Sequence, residues 1–419
     1  MLTAKEFIKQ HNIGYDTIQI GKELDAYLDE MKKGLCGQPG SLLMLPSYLV
    51  LRDEVRRCQP VICVDAGGTN LRITVAQFLD DGTFHTENIV KTLIPGAEKP
   101  VSIQEFFDAL AELIYPFTKI TKEIAISFAY RAKTLSNIDC EIVDITKEVT
   151  VTGAGGQHLG KEICASLAKM GAEGCHAIVM NDSVATALAG KAEKLNEGYG
   201  SFTGTILGTG SNSCYMEAVQ NIKKVKDLDP DGTMVINVEA GSYNKMPRSD
   251  IDIAFNETLQ NPEVGIAEKM TSGGYLGKLC GYTLGVAADE GVFEEKSDFG
   301  TSLTTIDVNR FLTDGGGRIA EGLQTQHDRG AAREILLNLV RRAGRMLALQ
   351  MAAVAVKCKK TNNRVCMTIE GTTYEKMDDL KHEAMVSLLP YLASCGIEAD
   401  VISVDLAVLK GCAIAGLSR

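Results

Sequence analysis

Three short runs of the chain combine glycines, hydroxyls and acids in a pattern suited to phosphate chemistry. The first is Asp65-Ala-Gly67-Gly68-Thr69-Asn70, with Arg72 two residues further on. Glycine has no Cβ to keep phosphate oxygens away from backbone N–H groups. Asp65 offers a hard oxygen ligand for Mg²⁺, directly or through water. Thr69 adds a hydroxyl, and Arg72 can neutralise charge. The second run is Gly208-Thr209-Gly210-Ser-Asn212. The third is Ala177-Ile-Val-Met-Asn181-Asp182-Ser183, an apolar stretch that ends in Asn-Asp just before Val184-Ala-Thr-Ala-Leu188. Asp182 there has two readings. It can cap the helix that follows, or it can act as a general base at a strand's carboxyl end, where ligands of α/β proteins bind.

A rival motif lies nearby. Gly155, Gly160 and Lys161 have the spacing of a P-loop, but position 162 is glutamate where a Mg²⁺-binding Ser or Thr is required. Gly153-x-Gly155 lacks the rest of a dinucleotide fingerprint. Gly315-Gly-Gly317 follows a helical segment and reads as a turn. The six histidines are scattered, and no Gly-x-Ser-x-Gly elbow anchors a Ser-His-Asp arrangement.

The elements around these runs repeat. A short apolar strand, 61–64, leads into the first glycine run, and a second strand, 71–78, leaves it. Asp80-Asp-Gly82 then turns into a third strand. A helix over 103–114 and a strand over 124–128 complete a β-β-β-α-β series. The order recurs with strands at 205–207, 213–218 and 234–238 around the second glycine run. Two such halves, each bringing a glycine turn to a shared cleft, imply a duplication with a ligand between the lobes. Near the N-terminus Leu24, Tyr27, Leu28 and Met31 mark one face of a helix. A long helix over 331–357 carries Arg341, Arg342 and Arg345, read as a solvated face.

At 419 residues the chain exceeds what one core serves, and 45% hydrophobic with 23% charged residues is a globular balance. Lysine and arginine number 43 against 54 acids, a net charge of −11. That repels nucleic acid and anionic membranes alike, so neither is expected as a partner. Any anionic ligand must therefore be held by local N–H donors or a metal. The most apolar run, 346–356, is too short to span a bilayer, and the first residues lack a signal peptide's apolar core. Cytoplasmic localisation is the expectation. The 12 cysteines show no Cys-x-x-Cys pair, so neither disulfides nor structural zinc are expected.

With these runs in view, the chain resembles the hexokinase family, sugar kinases of the actin-like ATPase fold. The resemblance extends along most of the chain and keeps the family's order. It begins with Lys33-Gly-Leu35 and Ser41-Leu-Leu-Met-Leu-Pro-Ser-Tyr48, then Val64-Asp65-Ala-Gly-Gly-Thr-Asn70-Leu-Arg72. It continues through Ile126-Ser127-Phe128, Ile145-Thr146-Lys147, Asn181-Asp182 and Leu207-Gly-Thr-Gly-Ser-Asn212. It closes on Val238-Glu239, Glu268-Lys-Met-Thr-Ser-Gly273-Gly-Tyr-Leu-Gly277, Glu370-Gly371-Thr372 and Lys410-Gly411. Departures fall at Ala129-Tyr130, where the family has proline after Ser-Phe, and at Ile145-Thr-Lys-Glu-Val149. Glu370 stands where aspartate is usual, and Val404-Asp-Leu-Ala-Val-Leu replaces a glycine-serine-glycine turn.

The resemblance implies a two-lobed actin-like ATPase, a duplicated ribonuclease-H-like βββαβα unit with the active site between the lobes. The small lobe would comprise residues 59–180 with 411–419, and the large lobe 1–58 with 181–410. It implies ATP and Mg²⁺ as cofactors and a hexose such as glucose as the acceptor. Asp182 would be the base, with Lys147 and Arg72 assisting. Ser127, Phe128, Thr146, Lys147, Asn181, Asn212, Glu239 and Glu268 would hold the sugar. The nucleotide would meet Gly67, Gly68, Thr69, Asn70, Gly208, Thr209, Gly210, Gly371, Thr372, Lys410 and Gly411, with Asp65 on the metal. Asp65, Asp182 and Asn212 should then face one cleft, with Glu239 and Glu268 opposite Lys147. The altered turn before Lys410 leaves an alternative open: a catalytically weak, sugar-sensing protein of the same fold.

Overall fold

The computed structural model describes residues 2–49, 55–145, 149–194, 197–226, 228–294, 299–358 and 360–418. Its main strands, numbered along the chain, are β1 (Leu45–Pro46), β2 (Val61–Ala66), β3 (Asn70–Phe78), β4 (Phe84–Thr86), β5 (Val90–Leu93) and β6 (Glu123–Phe128). There follow β7 (His176–Met180), β8 (Ser201–Leu207), β9 (Ser211–Ala218), β10 (Thr233–Asn237), β11 (Arg364–Glu370) and β12 (Glu398–Ile402). They form two six-stranded sheets. The first runs β7-β6-β2-β3-β4, with β5 also on β3; the second runs β1-β10-β9-β8-β11-β12.

Each sheet holds the same unit. In the first, β2, β3 and β4 are antiparallel neighbours, and β6 and β7 add in parallel beyond β2. In the second, β8, β9 and β10 take the antiparallel places, and β11 and β12 add in parallel beyond β8. The repeat expected from the order of elements is therefore a repeat of topology, with two lobes in the arrangement of the actin-like ATPases.

Burial explains why the first strand of each unit is almost wholly apolar. All six residues of β2 are buried. Ile62 and Val64 face a cluster with the helices Ile103–Ile114 and Leu159–Lys169. Val61 and Cys63, on the other face, join a cluster shared with Phe202, Cys214 and Cys366 of the second sheet. Two helices fill the space between the sheets, Asp182–Glu193 and Ala407–Leu417. Successive side chains of a strand point to opposite faces, so a strand covered on both sides reads as a continuous apolar run. The third cluster lies beyond the second sheet, around the 32-residue helix Gln326–Lys357.

That helix corrects one expectation. Arg342 does not lie on a solvated face; it is 1% exposed and makes a bidentate pair with Asp252, at 2.9 and 2.7 Å. Asp252 also closes the capping box of Ser249 at the start of the helix Asp250–Glu257. A fully buried guanidinium is tolerated because its fork and the carboxylate match in geometry and charge. Arg345 is likewise engaged, with Glu383 at 2.7 Å and its guanidinium 4.7 Å from the centre of the Tyr15 ring. The Gly315 turn is as expected, with a left-handed glycine ending the helix Thr305–Asp314. All 12 cysteines are free thiols. Among the described residues no helix is long and apolar enough to cross a membrane.

Candidate active site between two glycine turns

The first glycine turn joins β2 to β3 and is closed by the Gly67 N–H donating to the Asn70 carbonyl at 3.0 Å. Asp65 and Arg72 are direct cross-strand partners in this hairpin. Arg72 therefore reaches Asp65 with Nε at 2.7 Å and Nη2 at 2.5 Å. Its Nη2 is also 3.6 Å from Glu370, at the end of β11 in the other sheet. One guanidinium thus links carboxylates of both sheets across the cleft. Burial pushes the Asp65 carboxyl above its usual range in spite of Arg72. Glu370 is raised to about 7, chiefly by burial, with Arg72 opposing and Asp65 and Asp182 adding to the rise. Its Oε2 is buried and has no hydrogen-bond partner among the described residues.

The second turn joins β8 to β9. The Gly208 carbonyl accepts from the Gly273 N–H at 2.8 Å and from the Thr373 hydroxyl at 2.9 Å, and the Thr209 carbonyl accepts from the Gly274 N–H at 3.1 Å. The Ser211 N–H donates to Glu268 at 3.1 Å, while its hydroxyl bonds Gln350. The two turns meet: a Cβ on Gly68 would lie 3.3 Å from the Thr209 side chain. This close approach leaves little room for a side chain at 68, although its backbone angles would allow one. Gly371 is different. It has a φ of +126°, and a Cβ there would lie 2.3 Å from the Leu207 carbonyl oxygen.

Between the turns stands the start of the helix Asp182–Glu193. Its cap is Asn181, whose Oδ1 accepts from the Ser183 N–H at 2.9 Å. The capping role proposed for Asp182 therefore falls on its neighbour, and Asp182 lines the cleft. Asn181 also opens a chain of amides. Asn212 Nδ2 donates to Asn181 at 3.1 Å and to Asn237 at 2.8 Å, and Asn237 Nδ2 donates to Glu239 at 2.8 Å. Glu239 has a φ of +58°, a left-handed conformation that a non-glycine residue adopts at some cost and that is common at ligand sites. Hydrogen bonds among the amides and carboxylates thus tie this wall together.

These groups surround one cleft of about 930 Å³. Asp65, Gly67, Gly68, Thr69, Asn70 and Arg72 line it from the first sheet. Asn181 and Asp182 line it at the start of the helix that leaves the first sheet, and Gly208, Thr209, Gly210, Asn212, Glu239, Glu268, Gly371 and Thr372 from the second sheet and its connections. Not every expected residue joins them. Thr146 and Lys147 lie outside the described residues. Ser127 and Phe128 are buried behind the lining formed by Ala129, Tyr130 and Arg131. The hydroxyl of Ser127, opposite Asp65 in the β2–β6 register, has no partner among the described residues. Lys410 and Gly411 are absent from the lining. Lys410 pairs with Glu193 at 2.5 Å. A Cβ on Gly411 would meet the Ala185 carbonyl oxygen at 2.0 Å, so that glycine serves the contact between two helices. The P-loop rival is closed by its own chain: Asp139 accepts from the Gly160 and Lys161 N–H groups at 2.7 and 3.0 Å.

Several residues in or behind the cleft were not marked as site residues by the sequence. Asn237 links two predicted sugar residues, and its only signal was an amide at the end of a strand. Gln350 was visible as the one polar side chain in the apolar run 346–356. Glu370 stood inside a motif but showed no sign of its ion pair with a residue nearly 300 positions away.

Two lobes of duplicated topology, with glycine turns and acids converging between them, define an actin-like ATPase fold. Hexokinase family models match residues 3–192 and 202–417 of the chain. The second of these alone covers more than half of it, and the chain belongs to the hexokinase family. Hexokinase-1 of Schizosaccharomyces pombe is 28% identical over 269 residues, covering 61% of this chain and 54% of that protein. Hexokinase-1 of Nicotiana tabacum is 29% identical over 314 residues, covering 71% and 62%. The chain therefore spans little more than half the length of these relatives. Among solved structures, the hexokinase from Schistosoma mansoni complexed with glucose superposes with a TM-score of 0.84 over all of both chains, at 18% identity, a likeness of fold.

Proposed function

We propose that the protein transfers the γ-phosphate of Mg-ATP to the primary hydroxyl of a hexose such as glucose, with Asp182 as general base. The observation that carries this reading is the meeting of three groups in one cleft: Asp182 at a helix start, the paired glycine turns, and the amide and carboxylate wall of Asn181, Asn212, Glu239 and Glu268. A pyranose offers hydroxyls that both donate and accept, and this wall supplies partners of both kinds. Lys147 and Thr146, with Ser127 and Phe128 behind the lining, would complete the sugar side. We take the lobes as 59–180 with 411–419, and 1–58 with 181–410.

The residues present fit Mg²⁺. Asp65, Asp182 and Glu370 stand close enough for the first two to disfavour ionisation of the third, and one Glu370 oxygen is buried without a partner. Such a concentration of oxygen ligands suits a hard divalent cation. Asp65 would hold it, with Glu370 alongside; bound there, Mg²⁺ would neutralise charge on the donor phosphates. Arg72 and the N–H groups of the turns would hold phosphate oxygens, and Asp182 would accept the hydroxyl proton as the bond to phosphorus forms. Acidic side chains outnumber basic ones eight to four along the lining, so an anionic donor depends on such local contacts.

The test is ADP release from Mg-ATP across a panel of hexoses, with a sugar-free blank and Asp182→Ala. Sugar-dependent turnover that disappears in the variant supports the reading. A second reading, a sugar-binding regulator with little catalysis, is favoured by one observation: Val404, Leu406 and Val408 line the cleft where the family has its glycine-serine-glycine turn. Calorimetric binding of glucose without ADP release, with GTP and pyrophosphate also silent as donors, would make that the better account.

A further inference from the structure

We propose that Tyr130 locks the Gly68–Thr69 peptide in the orientation that receives the nucleotide's phosphates, making it a positioning residue of the donor site. The proposal rests on the kinase reading above and deepens it. Tyr130 occupies the stretch where this chain departs from its family after Ser-Phe, so no family role passes to it. Its hydroxyl donates to the Gly68 carbonyl at 2.8 Å, connecting the sugar side of the first lobe to its phosphate turn. The ring is 3% exposed and packs on Phe128, with ring centres 5.1 Å apart. Burial pushes the phenol's pKa well up, so it remains a donor at any physiological pH.

The peptide concerned is the loose one. The Gly67 N–H is committed to the Asn70 carbonyl, and the Thr69 carbonyl accepts from the Ile94 N–H at 3.0 Å. Between them, the Gly68 carbonyl has Tyr130 as its one hydrogen-bond partner among the described residues. Glycine imposes little barrier to rotation of the peptide that follows it. A trans peptide is planar, with its C=O and N–H on opposite edges, so fixing the carbonyl fixes the heading of the Thr69 N–H. A flip would exchange that donor for lone pairs beside an incoming phosphate. Gly68 also lies against Thr209 of the opposing turn, so its peptide sits where the two phosphate turns meet.

Tyr130→Phe keeps the ring and removes the donor. The chain has no tryptophan to report binding, so titration calorimetry is the readout. Native protein and variant would be titrated with Mg-AMPPNP and, separately, with glucose. The expected result is a nucleotide Kd weaker by about threefold to tenfold, the effect of one neutral hydrogen bond. Glucose affinity should stay within about twofold, and in turnover KM for ATP should rise while KM for glucose does not. An unchanged nucleotide Kd overturns the lock. Equal weakening of both ligands also overturns it, because that marks Tyr130 as simple core packing. Nucleotide binding by the native chain without sugar-dependent turnover would sink the kinase reading alone, whereas no nucleotide binding at all would sink both.

Discussion

The Gly67–Thr69 turn and the Gly208–Gly210 turn occupy the same place in two strand–turn–strand units, yet their surroundings differ. Charge surrounds the first: Asp65 and Arg72 are cross-strand partners beneath it, and Glu370 reaches them from the other sheet. Mostly neutral hydrogen bonds surround the second, which is braced by Gly273, Gly274 and Thr373 and by Gln350 through Ser211, with the Glu268 carboxylate accepting from the Ser211 N–H. Duplication thus supplied two frames of one shape, and the side chains around them divide the work. One frame handles ionic charge. The other holds the carboxylates and amides of the adjoining wall in place.

The largest test of that division lies between the frames. Asp182→Ala should lower sugar-dependent turnover by about 10²–10⁴-fold, the worth of a positioned base, while calorimetry shows hexose affinity changed by only a few fold. Retained turnover would remove the base from the scheme. The two frames can then be separated by one methyl group each. Gly371→Ala, with its φ of +126° and a backbone oxygen 2.3 Å from the new Cβ, should destabilise the fold by roughly 2–5 kcal/mol in urea unfolding. Gly68→Ala has no unfavourable φ and meets only a side chain at 3.3 Å. It should cost less than about 1 kcal/mol of stability while weakening nucleotide binding about tenfold. If the two substitutions act alike, the contrast between the frames fails.

A smaller effect concerns the charged frame alone. In EDTA, the Glu370 carboxyl of the folded chain holds its proton up to about pH 7, against 4.5 for the ordinary group. Between those values the folded state binds more protons than the unfolded one, so stability falls as pH rises through that window and levels off above it. Glu370→Gln should flatten this slope, shifting Tm by about a few degrees at pH 8 relative to the native chain. A native chain with no slope between pH 5 and 7 would contradict the raised pKa. The smallest effect is expected outside both frames. Lys161, whose side chain is 72% exposed, should be replaceable by alanine with stability changed by less than about 0.5 kcal/mol and KM for ATP unaltered. A rise in that KM would reopen the P-loop reading.

The frames themselves were legible in the sequence because their signals are local. Glycine pairs between apolar strands, and Asn-Asp at a strand end, are consequences of backbone geometry within a few residues. The strands 61–64, 71–78 and 124–128 differ from the observed ones by two residues or fewer at any end, and the helix over 103–114 by none. What could not be read depended on partners distant in the chain. Arg342 looked solvated because it stands in a basic cluster with Arg341 and Arg345, whereas its partner Asp252 comes from a helix about ninety residues earlier. Lys410 and Gly411 fit a family motif, yet their surroundings are Glu193 and Ala185, on a helix that only the tertiary fold brings near. Glu370 read only as a glutamate where aspartate is usual, and its weight comes from standing opposite Arg72.

The helix Ala407–Leu417 packs against β2, β6 and the helix Asp182–Glu193, so residues near the end of the chain finish the interior of the lobe that begins at Val61. A ribosome delivers these partners more than three hundred residues apart. The inner face of the first sheet therefore lacks this part of its cover until translation of this region is complete. Val61, Cys63 and Ala125, buried in the finished fold, are apolar surface that chaperones would be expected to hold during that interval. Yield in a cell should accordingly respond to elongation speed and chaperone supply, even where the finished molecule is unchanged.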